Sequence, residues 1–254
     1  LFLQYASHWS YQCGRCRNCA AGRPNLCEWY DRRQGKMPDG TTRFSKDGVP
    51  YYHTLATFAE ETVVLADSLV KIREDIPIEK ACLIGCGVIT GVGAVINTAR
   101  ILPGDTVAVI GLGGVGLNGI LGAKLAGAET IIAIDIADDK LGLARQLGAT
   151  HTVNASEDTH VEQVRDLTNG GVDFAIDLAG AIPAMETAYA ITRYGGTIVT
   201  AGLSPSTAEF SFIHSNLVSE EKAIKGSYMG SCVPVRDIPR FISLYKQGRL
   251  PVDK

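Results

Sequence analysis

The 254-residue chain contains no long run of Lys or Arg, and its 24 basic residues are outnumbered by 27 acidic ones, for a formal charge of −3. A surface that tracks a phosphate backbone needs a basic stripe, so nucleic acid is excluded as a partner. Unbroken apolar runs are missing too. The two longest uncharged stretches, residues 81–99 and 106–123, are interrupted by glycines and carry Thr or Asn. That fits buried strand and helix segments better than a membrane span, and no membrane association is expected. No basic segment followed by an apolar one opens the chain, so nothing calls for secretion and a cytoplasmic location is expected. There is no internal repeat and no low-complexity segment. The first residue is Leu and LFLQY reads as part of a strand, so the chain is expected to begin inside a longer one. With 46% hydrophobic and 20% charged residues it has the make-up of a soluble globular protein of one large domain or two ordinary ones.

What is there is organised around residues 106–135, TVAVIGLGGVGLNGILGAKLAGAETIIAID. Residues 106–110 are rich in β-branched side chains and read as a parallel strand buried on both faces. They run into Gly111-Leu112-Gly113-Gly114-Val115-Gly116, a G-x-G-x-x-G turn. In such a turn Gly111 makes the tight bend, Gly113 lets the backbone approach a pyrophosphate and Gly116 lets the following helix sit close to the strand. The helix N-terminus offers free N–H groups to the anion. A helix over 117–126 and a strand over 130–134 follow. The strand ends in Asp135, about 20 residues beyond the motif, where an acid accepts hydrogen bonds from the adenosine ribose. An acid there repels a 2′-phosphate, which favours NAD over NADP. The plainer reading is an ordinary βαβ unit in which Asp135 caps the next helix.

Cys13, Cys16, Cys19 and Cys27 form C-x2-C-x2-C-x7-C in a loop rich in Gly, Arg and Asn. Four thiolates at this spacing suit a closed tetrahedral Zn2+ site, structural and not catalytic, that fixes a loop with little apolar content of its own. Thioredoxin-like chemistry calls for one C-x-x-C beside a helix in a βαβ unit, and disulfides call for an oxidising compartment; both fit less well. Cys82 and Cys86 lie in CLIGCGVITGVGAV, after a short helix opened by Pro77. Cys82 reads as buried packing. Cys86, between Gly85 and Gly87, is either a packed cysteine or a metal ligand. Thr90-Gly91-Val92-Gly93 is expected to begin a helix aimed at the glycine-rich turn.

Residues 28–50 are polar, with turn signals at Pro38-Asp39-Gly40 and Asp47-Gly48, and read as a surface excursion or hairpin. Residues 58–65 read as a strand, while His8 and His53 read as surface or packed residues. Beyond Asp135 the alternation continues with helices over 138–147, 161–168 and 183–192 and strands over 151–154, 172–177, 197–201 and 223–227. The turn Tyr194-Gly195-Gly196 precedes the strand at 197, and a last helix covers 235–247. Six strands with right-handed crossovers predict an α/β fold, a doubly wound parallel Rossmann sheet in the order 3-2-1-4-5-6. A dinucleotide then lies across the carboxyl ends at the switch point, with Ala201, Gly202 and Leu203 facing its nicotinamide half.

The clustered cysteines, GCGVITGVG, GLGGVG and the acid after the second strand stand in one order. In this the chain resembles the zinc-dependent alcohol dehydrogenases of the medium-chain dehydrogenase/reductase superfamily, over essentially its whole length. Residues 58–64, Gly195-Gly196, Leu217-Val218 and Lys225-Gly226 are similar to further family landmarks, although Glu61 stands where an aromatic residue is usual. The resemblance implies a structural zinc on Cys13, Cys16, Cys19 and Cys27, and a catalytic zinc with Cys86 as its third protein ligand. It implies that Thr90 approaches the nicotinamide, that Leu112, Gly113, Gly114, Val115 and Gly116 hold the pyrophosphate, and that Asp135 with Lys140 holds the adenosine ribose.

The implied architecture is a partial GroES-like, β-rich catalytic domain with the structural zinc lobe over 1–88, a NAD-binding Rossmann domain over 89–229, and a return to the catalytic domain over 230–254. In the family a Cys, a His and the hydroxyl residue that starts a proton relay precede the structural-zinc loop. None stands there in this sequence, so the chain as given is expected to bind NAD without turnover. A cysteine at 86, where polyol dehydrogenases often have an acid, implies the alcohol dehydrogenase branch. The implied activity is hydride transfer between a small alcohol or aldehyde and NAD. The alternatives are an S-(hydroxymethyl)glutathione (formaldehyde) dehydrogenase, an aryl-alcohol dehydrogenase, and a NAD- and zinc-binding module without turnover. A homodimer or homotetramer is also implied, pairing through the sheet edge at 223–227.

Overall fold

The structure, a computed structural model, describes residues 3–5, 12–28, 41–42, 44–51, 66 and 69–254; the readings made for His8, Pro38-Asp39-Gly40, His53 and residues 58–65 lie outside them. The chain divides into two compact units, Leu1–Cys86 with Cys232–Ser243, and Gly87–Ser231 with Leu244–Lys254. In the first, β1 (Leu3–Tyr5) belongs to a two-stranded antiparallel pair, and α1 (Arg17–Ala20) is a single turn inside the cysteine-rich loop. Strands β2 (Phe44–Lys46) and β3 (Val49–Tyr51) form a hairpin. Its turn residues Asp47 and Gly48 both take positive φ, 52° and 77°, the twist-matched conformation that Asp-Gly accommodates. The partner of β1 is β4 (Leu69–Lys71).

A helical run of 22 residues, Ile78–Ala99, follows. It is α-helical in α2 (Ile78–Leu83) and α3 (Ile89–Gly93) and opens into wider π-type turns over Ile84–Val88 and Ala94–Ala99. The helix therefore passes straight through Thr90 and does not begin there, contrary to the sequence expectation. Gly91 within it serves packing: a Cβ there would collide with the carbonyl of Val115. By length and composition this helix could cross a membrane, but 56% of its most apolar window is buried inside the structure, as in a core helix.

The second unit alternates strand and helix in β5 (Thr106–Ile110), α4 (Gly114–Ala126), β6 (Thr130–Asp135), α5 (Asp138–Leu147), β7 (His151–Asn154) and α6 (His160–Leu167). It continues through β8 (Val172–Asp177), α7 (Ile182–Ile191), β9 (Thr192–Thr200), α8 (His214–Ser219) and β10 (Ala223–Gly226); α9 (Pro234–Lys246) follows, most of it in the first unit. The six strands make one sheet, β10-β9-β8-β5-β6-β7, with every pairing parallel. This is the order 3-2-1-4-5-6 read from the other edge. Strand side chains are buried on both faces: Ile132, Ile134, Ile176 and Ile198 have no exposed surface, and each contributes about 1.5–3 kcal/mol of burial. Two boundaries differ from the sequence reading by more than a residue. Helix α4 takes in the last glycines of the motif. Strand β9 starts five residues early because Thr192 pairs with Val172 before the register slips and Thr197 meets Phe174, the intervening glycines forming a bulge.

Candidate functional site

Strand β5 lies between β6 and β8, where the winding of the sheet reverses, so the loops leaving these strands converge at a switch point. The glycines of the turn divide by what surrounds them. Gly111 has φ 84°, and a Cβ there would sit 2.7 Å from Ala179 Cα; a Cβ on Gly116 would collide with the carbonyl of Gly111. Both are demanded by the fold itself. A Cβ on Gly113 or Gly114 would meet no atom within 4 Å, so no protein contact accounts for them. They leave open space at the start of α4, a helix with no side-chain cap and no acid in its first turn. Uncapped N–H groups and the positive end of the helix dipole suit this opening to an anion.

Asp135 ends β6 and is only 8% exposed. Its Oδ2 accepts the Leu112 N–H at 2.6 Å and its Oδ1 the Ala137 N–H at 3.1 Å, while Lys140 Nζ lies 3.8 Å from Oδ1. A carboxylate has about four acceptor positions, so two remain for hydroxyls of a ligand. Ile136 is 71% exposed immediately beyond it, an apolar face at the rim that the sequence reading passed over. Its signal was an isoleucine placed after the acid that ends the strand. Beyond β9, the Ala201 N–H donates to the Asp177 carbonyl at 2.9 Å, Gly202 is pressed against the backbone of Gly180, and Leu203 is 82% exposed. Parallel strands place the glycine-rich turn, Asp135, Lys140 and Ala201–Leu203 at the same carboxyl-end edge of the sheet.

The sulfurs of Cys13, Cys16, Cys19 and Cys27 lie within 4.8 Å of one another, and Cys16 Sγ is 4.0 Å from Cys27 Sγ. None of the four is joined in a disulfide. Four sulfurs around one zinc at about 2.3 Å stand a little under 4 Å apart, so this donor set fits the ion with small adjustment. The loop is pre-folded by its own backbone: the Cys16 N–H points at Cys13 Sγ at 3.2 Å, the Cys19 N–H at Cys16 Sγ at 3.5 Å and the Cys13 N–H at Cys27 Sγ at 3.5 Å. Asn18 Nδ2 bonds the Leu26 carbonyl at 2.8 Å and closes the loop. The Cys19 N–H, aided by that of Glu28, lowers the Cys16 thiol to about 6, whereas desolvation, aided by the bond to Cys16, pushes Cys19 up to about 12.

Cys86 lies on the first π-type turn of the long helix. It retains exposed surface, and the burial it does have pushes its thiol pKa up. Among the described residues the four-cysteine loop is the only group of three or more ligand side chains close enough to share a metal, so Cys86 has no completed ligand set. Thr90 follows four residues later in the same helix and is half-buried. Cys82, read as packing, is exposed with its Sγ 3.3 Å from the Glu79 carbonyl. Ala81 and Ile84 occupy the buried face, which turns Cys82 and Leu83 outward.

A family model described as zinc-binding dehydrogenase matches residues 114–247. The chain is 39% identical over 255 residues to an S-(hydroxymethyl)glutathione dehydrogenase of Paracoccus denitrificans, covering 95% of this chain and 68% of the relative. Its structure is similar to that of benzyl alcohol dehydrogenase from Acinetobacter calcoaceticus, with TM-score 0.91 and 32% identity over 99% of this chain and 68% of the other. It is also similar to a putative zinc-binding dehydrogenase from Sinorhizobium meliloti 1021 bound to NADP, with TM-score 0.76 and 25% identity over 99% and 67%.

Proposed function

The chain belongs to the zinc-binding dehydrogenase family, and from that premise we propose that it serves hydride transfer between a small alcohol or aldehyde and NAD. The observation that carries the cofactor reading is the bond between Asp135 and the Leu112 N–H, set beside an uncapped helix start with open space at Gly113 and Gly114. The start of α4 neutralises a pyrophosphate, Asp135 with Lys140 fixes the adenosine ribose, Ile136 offers the base an apolar surface, and Ala201–Leu203 and Thr90 border the nicotinamide. The Asp135 carboxylate disfavours a 2′-phosphate. When bound, the nucleotide supplies the hydride acceptor and zinc the Lewis acid.

Cys13, Cys16, Cys19 and Cys27 hold a structural zinc that stiffens their loop. Cys86 offers one thiolate to a catalytic zinc. One donor does not make a metal site, so that zinc calls for two further ligands from outside the described residues. The likeness to the Paracoccus denitrificans protein favours S-(hydroxymethyl)glutathione as a second substrate reading. We place the protein in the cytoplasm as a homodimer or homotetramer paired through the edge of β10. Calorimetric titration with NAD and NADP tests the cofactor assignment: NAD is expected to bind about ten- to a hundredfold more tightly, the weight of one charged hydrogen-bonding group. Equal affinities overturn it.

A further inference from the structure

Two strand ends in the sheet share a sequence but for one Ile-to-Leu exchange. Ala133-Ile134-Asp135-Ile136-Ala137 closes β6 and Ala175-Ile176-Asp177-Leu178-Ala179 closes β8. These strands are the two neighbours of β5, one in each half of the sheet. Their aspartates are turned alike, for Oδ1 accepts the N–H two residues on, from Ala137 and from Ala179, at 3.1 Å in both cases. The second oxygens part company. In Asp135 it takes the Leu112 N–H; in Asp177 it takes the Thr200 hydroxyl, at the end of β9, at 2.8 Å. Asp177 is 2% exposed, and its oxygens are turned to a backbone N–H and a hydroxyl, not to solvent.

Burying a carboxylate is costly unless its bonds repay it, so what those bonds hold is informative. Through Ala179 they fix the backbone against Gly111, where a Cβ would come within 2.7 Å of Ala179 Cα. Through Thr200 they fix the start of the loop 201–203, which meets Gly180 backbone to backbone: a Cβ on Gly180 would lie 3.0 Å from the Leu203 nitrogen. Ser204 Oγ adds a bond to the Gly180 carbonyl at 2.9 Å. One buried carboxylate thus ties together the two loops that leave β8 and β9.

In a doubly wound sheet each half receives one mononucleotide. We infer that Asp177 is a positioning residue for the nicotinamide half of the dinucleotide site, acting through Ala179 and Thr200 without touching the nucleotide, as Asp135 serves the adenosine half. This rests on the dinucleotide reading above.

Calorimetry on the 254-residue chain with NAD and with ADP, which carries the adenosine and pyrophosphate alone, separates the halves. Asp177→Ala and Thr200→Val are each expected to weaken NAD about tenfold while ADP stays within about twofold, and Thr200→Ser to restore NAD binding. Asp135→Gly should weaken both nucleotides, which shows that the assay sees the adenosine half. Should Asp177→Ala fail to fold, the two Thr200 variants decide. Loss of ADP in step with NAD makes Asp177 a general brace of the sheet and overturns the inference, as does an unchanged NAD affinity or a wild type that binds NAD no more tightly than ADP. A wild type that binds neither nucleotide is a different result, and overturns the dinucleotide reading itself.

Discussion

The carboxylate of Asp135 accepts the N–H of Leu112 at 2.6 Å across 23 residues of sequence. The acid proposed to hold the ribose therefore also shapes the glycine-rich turn. Asp135→Gly should cost about 1–3 kcal/mol, the penalty for stranding a buried N–H, and should erode the preference for NAD over NADP. Asp135→Asn keeps an acceptor for Leu112 and should lose less stability while losing the same charge discrimination. Urea denaturation and paired NAD and NADP titrations measure the two effects separately. Equal stability of the Gly and Asn variants would mean that the Leu112 bond carries no weight.

The turn, β5 and β6 are readable in the sequence because glycine spacing, β-branched runs and a terminal acid are local signals. The long helix Ile78–Ala99 is not. Its glycines at 85, 87, 91 and 93 each lower helix propensity by roughly 1 kcal/mol, and only the tertiary contact of Gly91 with the Val115 carbonyl shows why a glycine stands at 91. Asp177 illustrates the other limit. Its pentapeptide echoes that of Asp135, but the Thr200 hydroxyl that gives the echo meaning is reached only once β8 and β9 are in register. The early start of β9 is hidden for the same reason, since Thr192 finds Val172 across a bulge.

Two glycines of one motif should fail in different ways. Gly116→Ala drives a methyl into the Gly111 carbonyl, with no flexible side chain to yield, and overpacking of this kind costs about 1–3 kcal/mol or more. Gly113→Ala meets no protein atom within 4 Å and should melt within about 1–2 °C of wild type, as surface changes do. Its methyl fills the space assigned to the pyrophosphate, so NAD affinity should fall steeply. Calorimetric melting and NAD titration of both variants give the comparison. A Gly113→Ala chain that binds NAD normally would remove the pyrophosphate from that space.

The four-cysteine loop should bring about one zinc per chain through purification, and Cys19→Ser should release it along with much of the order of residues 13–27. Without metal, Cys16 is mostly ionised at neutral pH and Cys19 is not. Zinc must therefore expel the Cys19 proton, and acidification should drive the reaction backwards, lowering zinc affinity as pH falls. Proton release on zinc binding, read from calorimetry in buffers of different ionisation enthalpy, checks the direction. A zinc-free chain with an equally protease-resistant loop would refute the structural role.

Cys86 is tested by completing its ligand set. Alone it supplies one sulfur, and the family of four-coordinate catalytic zinc sites needs three protein ligands with one position open. The 254-residue chain should bind NAD yet show no measurable alcohol oxidation. A chimera in which it replaces the matching part of the Paracoccus denitrificans relative, 68% of that protein, should gain a second zinc and turnover. In the chimera Cys86→Ala should lose the second zinc, leave the first in place and cut turnover by about a hundredfold or more, since even the outer partners of a metal site are worth ten- to a hundredfold. Cys82→Ala, one helical turn away on an exposed position, is the control and should change neither quantity. If Cys86→Ala keeps both zinc ions and full activity, the sulfur is a packing residue. If the short chain oxidises alcohols unaided, the missing ligands are not needed, and a zinc-independent hydride transfer becomes the better account of the fold.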